Sequence, residues 1–191
     1  RDPSMLTLIR EACGRRGRPL TEPASLSLVV YRYGRWAWQR RNPAARWFAS
    51  KLYGLLKVLV LNVTKIWIPP QTTIGKDFHI VHAEGSLSIH PDAVIGDRCG
   101  VMHNVTIRTN MGPGAPVIGG DVVIGVNPAP LGPITVGDRV RTGANTSVTT
   151  NVPSDSIVIG SPGKIFKRLT PFAPSGRRPA RDGASRPAKD A

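Results

Sequence analysis

Residues 89–107 read IHPDAVIGDRCGVMHNVTI, with Ile89, Ile95, Val101 and Ile107 on every sixth position. The spacing continues upstream through Ile68, Ile74 and Ile80. Downstream it runs through Ile118, Ile124, Pro130, Val136, Thr142 and Val148. Eleven of these thirteen positions are Ile or Val. A helix would place apolar residues at i, i+3, i+4 and i+7, and a strand would alternate at two. A strict six belongs to a repeat in which each coil has three flat sides, so that 18 residues close one turn.

The rest of each hexad fits that reading. Four residues after the branched position stands a second small or apolar residue: Thr72, Ala93, Cys99, Val105, Val122, Val140, Thr146 and Val152. Glycine often follows the branched residue, at Gly75, Gly96, Gly119, Gly125, Gly137 and Gly143. Glycine permits backbone geometry that branched residues resist, so these positions read as corners. Stacked coils then bury a continuous apolar column. The spacing predicts a parallel β-helix over residues 66–153, of four to five coils and with handedness open.

Two intervals break the period. Nine residues separate Ile80 from Ile89, and eleven separate Ile107 from Ile118. Three and five extra residues are thus inserted, and insertions in repeats become loops that often carry function. The first holds His82-Ala83-Glu84-Gly85. The second holds Arg108-Thr109-Asn110-Met111-Gly112-Pro113-Gly114. His82 and His103 each follow a branched residue by two and lie 21 apart, one coil plus the first insertion. The arithmetic predicts a histidine ladder on one side of adjacent coils, about 4.8 Å apart.

The chain has 191 residues, 26 Lys+Arg, 12 Asp+Glu and a formal charge of +14. Residues 1–65 carry 13 basic and 3 acidic side chains, residues 66–170 carry 8 and 7, and residues 171–191 carry 5 and 2. Basicity belongs to the ends, so a strong positive field is not a tool of the solenoid. Nucleic-acid binding is not expected, because the basic residues lack a recognisable module. Apolar residues make up 40%, enough for a core, and no uncharged apolar run is long enough for a transmembrane helix. Arg1-Asp2-Pro3 is not followed by a signal peptide. The two cysteines, Cys13 and Cys99, offer neither a disulfide framework nor metal-ligand spacing. A reducing cytoplasm is the expected location.

These hexads, with Ile95-Gly96-Asp97, the Leu131-Gly132-Pro133-Ile134-Thr135-Val136-Gly137-Asp138 run and the closing Val158-Ile159-Gly160-Ser161-Pro162-Gly163-Lys164, resemble the hexapeptide-repeat acyltransferases. More narrowly they look like the serine acetyltransferase branch. The likeness covers residues 66–168. It implies a left-handed parallel β-helix, a homotrimer with active sites in clefts between subunits, acetyl-CoA as donor substrate, and no permanently bound cofactor or metal. The family's Asp-His-small-x-Gly motif corresponds to Val81-His82-Ala83-Glu84-Gly85, so His82 is the expected general base. It would take the proton of an acceptor hydroxyl as that oxygen attacks the thioester.

The departures from the family are specific. Its Asp-Ile-His-Pro at the first coil is Trp67-Ile68-Pro69-Pro70 here, and its Asp before the histidine is Val81. Its Arg-His-Pro in the long loop is Gly114-Ala115-Pro116, and its Gly-Gly is Arg108-Thr109. The missing groups hold an amino acid's ammonium and carboxylate. The departures, with Tyr31-Arg32-Tyr33-Gly34-Arg35-Trp36, resemble the branch that O-acetylates sugars of polysaccharides and glycoconjugates. A sugar or glycoconjugate hydroxyl is therefore the expected acceptor. L-Serine is the alternative, and an inactive β-helical scaffold is the rival of a different class. Glu84 or His103 would hold His82 in the correct tautomer. The resemblance places the pantetheine arm beside Gly143-Ala144-Asn145 and the nucleotide phosphates near Lys164. Cys99 occupies an inward slot and reads as core.

Residues 24–41 and 44–64 read as helices, broken at Pro43. In the second, Phe48, Leu52, Leu55, Leu56, Leu59 and Val63 form an apolar stripe near Arg46, Lys51, Lys57 and Lys65. The stripe is expected to pack on the end of the β-helix or on a neighbouring subunit. A peripheral contact with the inner face of the membrane is the sharper alternative. The organisation read from sequence is a helical segment over 1–65, the acyltransferase β-helix over 66–168, and a disordered basic tail over 169–191.

Overall fold

The computed structural model describes residues 22–81, 85–110, 112–130 and 132–168. His82, Glu84 and the basic tail lie outside the described residues. The chain folds as a left-handed parallel β-helix of about five turns behind two helices. One face carries β1 (Ile66–Trp67), β4 (Leu87–Ile89) and β7 (Val105–Ile107), continued by β10 (Ala129–Pro130) and β13 (Ser147–Val148). The second carries β2 (Thr73–Ile74), β5 (Val94–Ile95), β8 (Val117–Ile118) and β11 (Thr135–Val136). The third carries β3 (His79–Ile80), β6 (Gly100–Val101), β9 (Val123–Ile124), β12 (Arg141–Thr142), β14 (Ser156–Ile159) and β15 (Lys164–Lys167).

The register bears out the counting of insertions. His79 pairs with Gly100, Gly100 with Val123, and Val123 with Arg141, steps of 21, 23 and 18 residues. The first exceeds one coil by three and the second by five. All the branched positions of the hexads are buried, and so are the eight small or apolar partners. Ile89, Val101 and Ile107 are wholly inaccessible. Each such side chain contributes on the order of 1.5–3 kcal/mol by leaving water.

The glycines act differently from the expectation. The left-handed backbone at one corner is adopted by Asp77, Arg98, Asp121, Arg139 and Asp155, with φ from 55° to 58°. At another corner it is adopted by Asn104, Asn127 and Asn145. Gly75, Gly96, Gly119 and Gly137 instead stack coil upon coil. A Cβ on Gly75 would lie 2.7 Å from the Gly96 carbonyl carbon, and one on Gly96 would lie 2.7 Å from that of Gly119. Close approach of backbones, not freedom of φ, excludes a side chain there.

The corner of Asp and Arg residues is a charge ladder. Arg98 donates Nε to Asp121 Oδ1 at 2.9 Å and its terminal nitrogen to Oδ2 at 2.6 Å. Arg139 donates the same pair of bonds to Asp155, both at 2.7 Å. Two-pronged pairs of this kind fix geometry as well as adding attraction.

Helices α1 (Pro23–Trp38) and α2 (Pro43–Thr64) precede the solenoid. Asn42 caps α2, its side-chain oxygen accepting from Ala44 and Ala45 amides. The helix α1 closes the open end of the first coil. Tyr31 donates its hydroxyl to Thr72 O at 2.8 Å, and Arg35 donates to the same oxygen at 2.7 Å. Arg32 donates to Ile74 O and Gly75 O. These carbonyls form the edge of the stack, which would otherwise template another strand. The Tyr-Arg-Tyr-Gly-Arg-Trp run is thus a structural cap. Gly34 admits the Tyr53 ring against its backbone and so brings the helices together.

The apolar stripe of α2 does not pack on the β-helix, contrary to the first half of that expectation. Ala49, Val60 and Thr64 form the buried side. Phe48, Leu52, Leu55, Leu59 and Val63 are all exposed, Phe48 by 69%. Of the stripe only Leu56 is half-buried. The helix turns toward α1 the side with small and hydroxyl-bearing residues, because these allow close approach.

Candidate active site

The first inserted loop leaves the solenoid at Val81 and returns at Gly85. Val81 donates its amide to Val101 O at 2.8 Å, which keeps the register of β3 on β6 up to the loop. Gly85 has φ 101° and lies against the next coil, where a Cβ would meet the Asn104 side chain and come within 3.4 Å of His103 Cβ. Ser86 then donates its amide to Asn104 Oδ1 at 2.9 Å. Both ends of the loop are therefore fastened beside His103 and Asn104. His82, the expected ladder partner, and Glu84 belong to the three loop residues outside the described set.

His103 is half-buried at the corner between the third and first faces. Its carbonyl accepts from the Asn127 amide at 3.3 Å. Pairing of Val101 with Ile124, and of Val123 with Arg141, puts His103, Val126 and Ala144 at equivalent positions of successive coils. Two coil spacings, about 10 Å, separate His103 from Ala144 along this corner. Asn145 donates its amide to Val126 O at 2.7 Å, which continues the same row.

The expected donor residues collect at the lower end of that corner. Gly143 donates its amide to Val158 O, and Ile159 pairs with Lys164 across the closing hairpin. Ala144 and Lys164 are both exposed. A Cβ on Gly143 would make only ordinary contact, 3.5 Å from Ile159 Cγ2. The fold therefore does not demand glycine at this position. The structure brings His103, Gly143, Ala144 and Lys164 to one edge of the prism.

The long second loop sits at the next corner, between the first and second faces. Its backbone is tied to the following coil by the Gly132 amide, which donates to Arg108 O at 3.0 Å. Between the two corners lies the outer side of the first face, where Trp67, Ser88 and Thr106 are in register. The Trp67 ring, at the position of the family's carboxylate, carries the Arg108 guanidinium 5.2 Å and the Lys57 ammonium 5.6 Å from its centroid. A cavity of about 330 Å³ opens beside it, lined by Trp38, Tyr53, Lys57, Pro69 and Gln71 among others. In the sequence both positions are departures from the family, and Arg108 also opens the second insertion. Their joint arrangement needs the fold, since they are two coils apart.

Cys99 takes no part in this edge. Burial pushes its thiol up to about 11, and Sγ donates to Gly119 O at 3.0 Å. It is a neutral core group at physiological pH.

No protein-family model matches the chain. The chain is 33% identical over 152 residues to the serine acetyltransferase of Synechococcus elongatus, covering 78% of this chain and 59% of that protein. It is 32% identical over 186 residues to the serine acetyltransferase of Mycobacterium tuberculosis, covering 90% of this chain and 77% of that protein. Among solved structures, soybean serine acetyltransferase complexed with serine superposes with a TM-score of 0.65 at 27% identity, over 86% of this chain and 70% of that one. The expected sugar or glycoconjugate acceptor has no counterpart in these names, which specify serine. The sequence, the coiled architecture and the identity carried over most of both chains agree: the chain belongs to the serine acetyltransferase family of hexapeptide-repeat acyltransferases.

Proposed function

We propose that the chain is an acetyl-CoA-dependent O-acetyltransferase whose acceptor is L-serine. The observation that carries this reading is the identity to a protein named serine acetyltransferase over 90% of the chain. Residues 66–168 are taken as the acyltransferase unit, behind a helical segment over 1–65 and ahead of a tail over 169–191.

In this reading His82 is the general base. It removes the proton of the acceptor hydroxyl as the oxygen adds to the thioester carbonyl. The tetrahedral adduct collapses, the carbon–sulfur bond breaks, and the imidazolium returns the proton to the leaving thiolate. An imidazole serves because its pKa lies near the working pH. The fastening of Val81 to Val101 and of Ser86 to Asn104 supports His103 as the positioning residue, and Glu84 of the same loop is the alternative. The row His103, Val126, Ala144 supports a donor lying along this corner, its pantetheine arm beside Gly143 and Ala144 and its phosphates near Lys164. The site would be completed in a homotrimer, in the cleft between subunits.

A second reading is favoured by Trp67. Two cations beside this ring repel an acceptor's ammonium group, whereas an uncharged acceptor meets no such repulsion. On that reading the acceptor is a sugar or glycoconjugate hydroxyl. Mass analysis of the product formed from acetyl-CoA with L-serine and with a panel of sugars separates the two. O-Acetylserine is the expected product. Acetylated sugar without O-acetylserine selects the second reading, and hydroxyl-dependent CoA release from neither selects the scaffold.

A further inference from the structure

The outward side of α2 has no occupant among the described residues. Phe48, Leu52, Leu55, Leu59 and Val63 follow one another at steps of three or four and are all exposed. Trp47, Val58 and the preceding Trp38 widen the apolar surface. A patch of this size and continuity marks an interaction site rather than scattered surface residues.

The charges around it are of one sign. From residue 23 to residue 76 the sequence has nine Lys and Arg and no Asp or Glu. Arg41, Arg46, Lys51 and Lys65 are exposed. Lys51 lies three residues after Phe48 and four before Leu55, so it stands along the stripe, with its ammonium 5.7 Å from the Trp47 ring centroid. A long stem beside apolar residues with its ammonium at the exposed edge is the arrangement by which lysine meets a headgroup layer.

We propose that this side of α2 seats on an anionic lipid surface, with the helix lying flat in the headgroup boundary. Apolar side chains enter the boundary while cations meet lipid phosphates, the two contributions that bind interfacial helices. No helix among the described residues is long and apolar enough to cross a bilayer, so the contact is peripheral. A second copy is a poorer occupant. Apposing this side with itself brings cation to cation, and the segment offers no carboxylate to offset them. The seat is independent of which hydroxyl the solenoid acetylates.

The test is flotation of the full chain with vesicles of phosphatidylcholine containing about one third phosphatidylglycerol, against vesicles of phosphatidylcholine alone. The wild type is expected to float with the anionic vesicles, far less with the neutral ones, and less in high salt. The Leu55→Ser/Leu59→Ser variant is expected to lose about tenfold or more in partitioning. Lys51→Glu alters only a surface charge, and it is expected to weaken binding to anionic vesicles without changing the unfolding midpoint. A wild type that stays at the bottom with anionic vesicles overturns the proposal, as it would if residues 1–21 or a second copy covered the face. Equal flotation of wild type and the double variant overturns it as well. A fall in particle mass of the double variant, read by sedimentation, assigns the face to a contact between copies and overturns it too.

Discussion

A single methyl group decides how the coils stack. Gly96 sits where a Cβ would press into the backbone of Gly119 at 2.7 Å, whereas one on Gly143 would meet side-chain carbons at 3.5 Å. Gly96→Ala is expected to lower urea stability by about 1–3 kcal/mol, and Gly143→Ala to change it by about 0.5 kcal/mol or less. Equal effects would place the reason for the glycines elsewhere. Cys99 gives a second check at this scale. Its thiol is buried and raised to about 11. Iodoacetamide at pH 8 should leave the Cys99 peptide unmodified in the folded protein and modify it once the chain unfolds, as peptide mass mapping would show. Rapid native alkylation would mean that the thiol faces solvent.

The corner that runs from Asp77 to Asp155 works as one element. Five residues hold the same left-handed backbone, and two Arg–Asp pairs tie the second coil to the third and the fourth to the fifth. The Arg139 guanidinium beside Asp155 holds its carboxyl below the ordinary 3.8. The folded carboxyl binds its proton less readily than the unfolded one. The pair therefore stabilises the fold above the unfolded value, and the contribution is lost as pH falls through the folded value. The gap in unfolding midpoint between wild type and Asp155→Asn should be widest near neutrality and narrow progressively as pH falls from about 3.8 through the lower folded value. A gap that persists in acid would show that the carboxylate charge is not its source. At the other end of the stack, α1 does with arginine side chains what a further strand would do with amides, since Arg32 and Arg35 reach the unpaired carbonyls of the first coil.

Taken whole, the molecule shows which features a sequence can carry. The period of six is set by the interior, where Ile80, Val101 and Ile124 have no alternative environment, so it was fully legible. The inserted loops were legible by subtraction, and pairing of His79 with Gly100 and Gly100 with Val123 repeats the count. The role of the glycines is not legible, because close packing between coils leaves no mark in the sequence that distinguishes it from backbone freedom. The orientation of α2 was not legible either. Apolar residues occur on several sides of that helix, and only the fit of Ala49, Val60 and Thr64 against their neighbours selects the inward one. At the site, the edge shared by His103, Ala144 and Lys164 was open to counting across the second insertion. The meeting of Trp67 with Lys57 and Arg108 depends on side-chain reach and was not.

The most direct measurement of the central claim is the steady-state rate of CoA release from acetyl-CoA with L-serine, for wild type and His82→Ala, with the unfolding midpoint recorded for both. Serine-dependent release is expected from the wild type and a loss of about 10²–10⁴-fold from the variant, with the midpoint unchanged. Equal rates in the two proteins, or no serine-dependent release from a folded wild type, would contradict it.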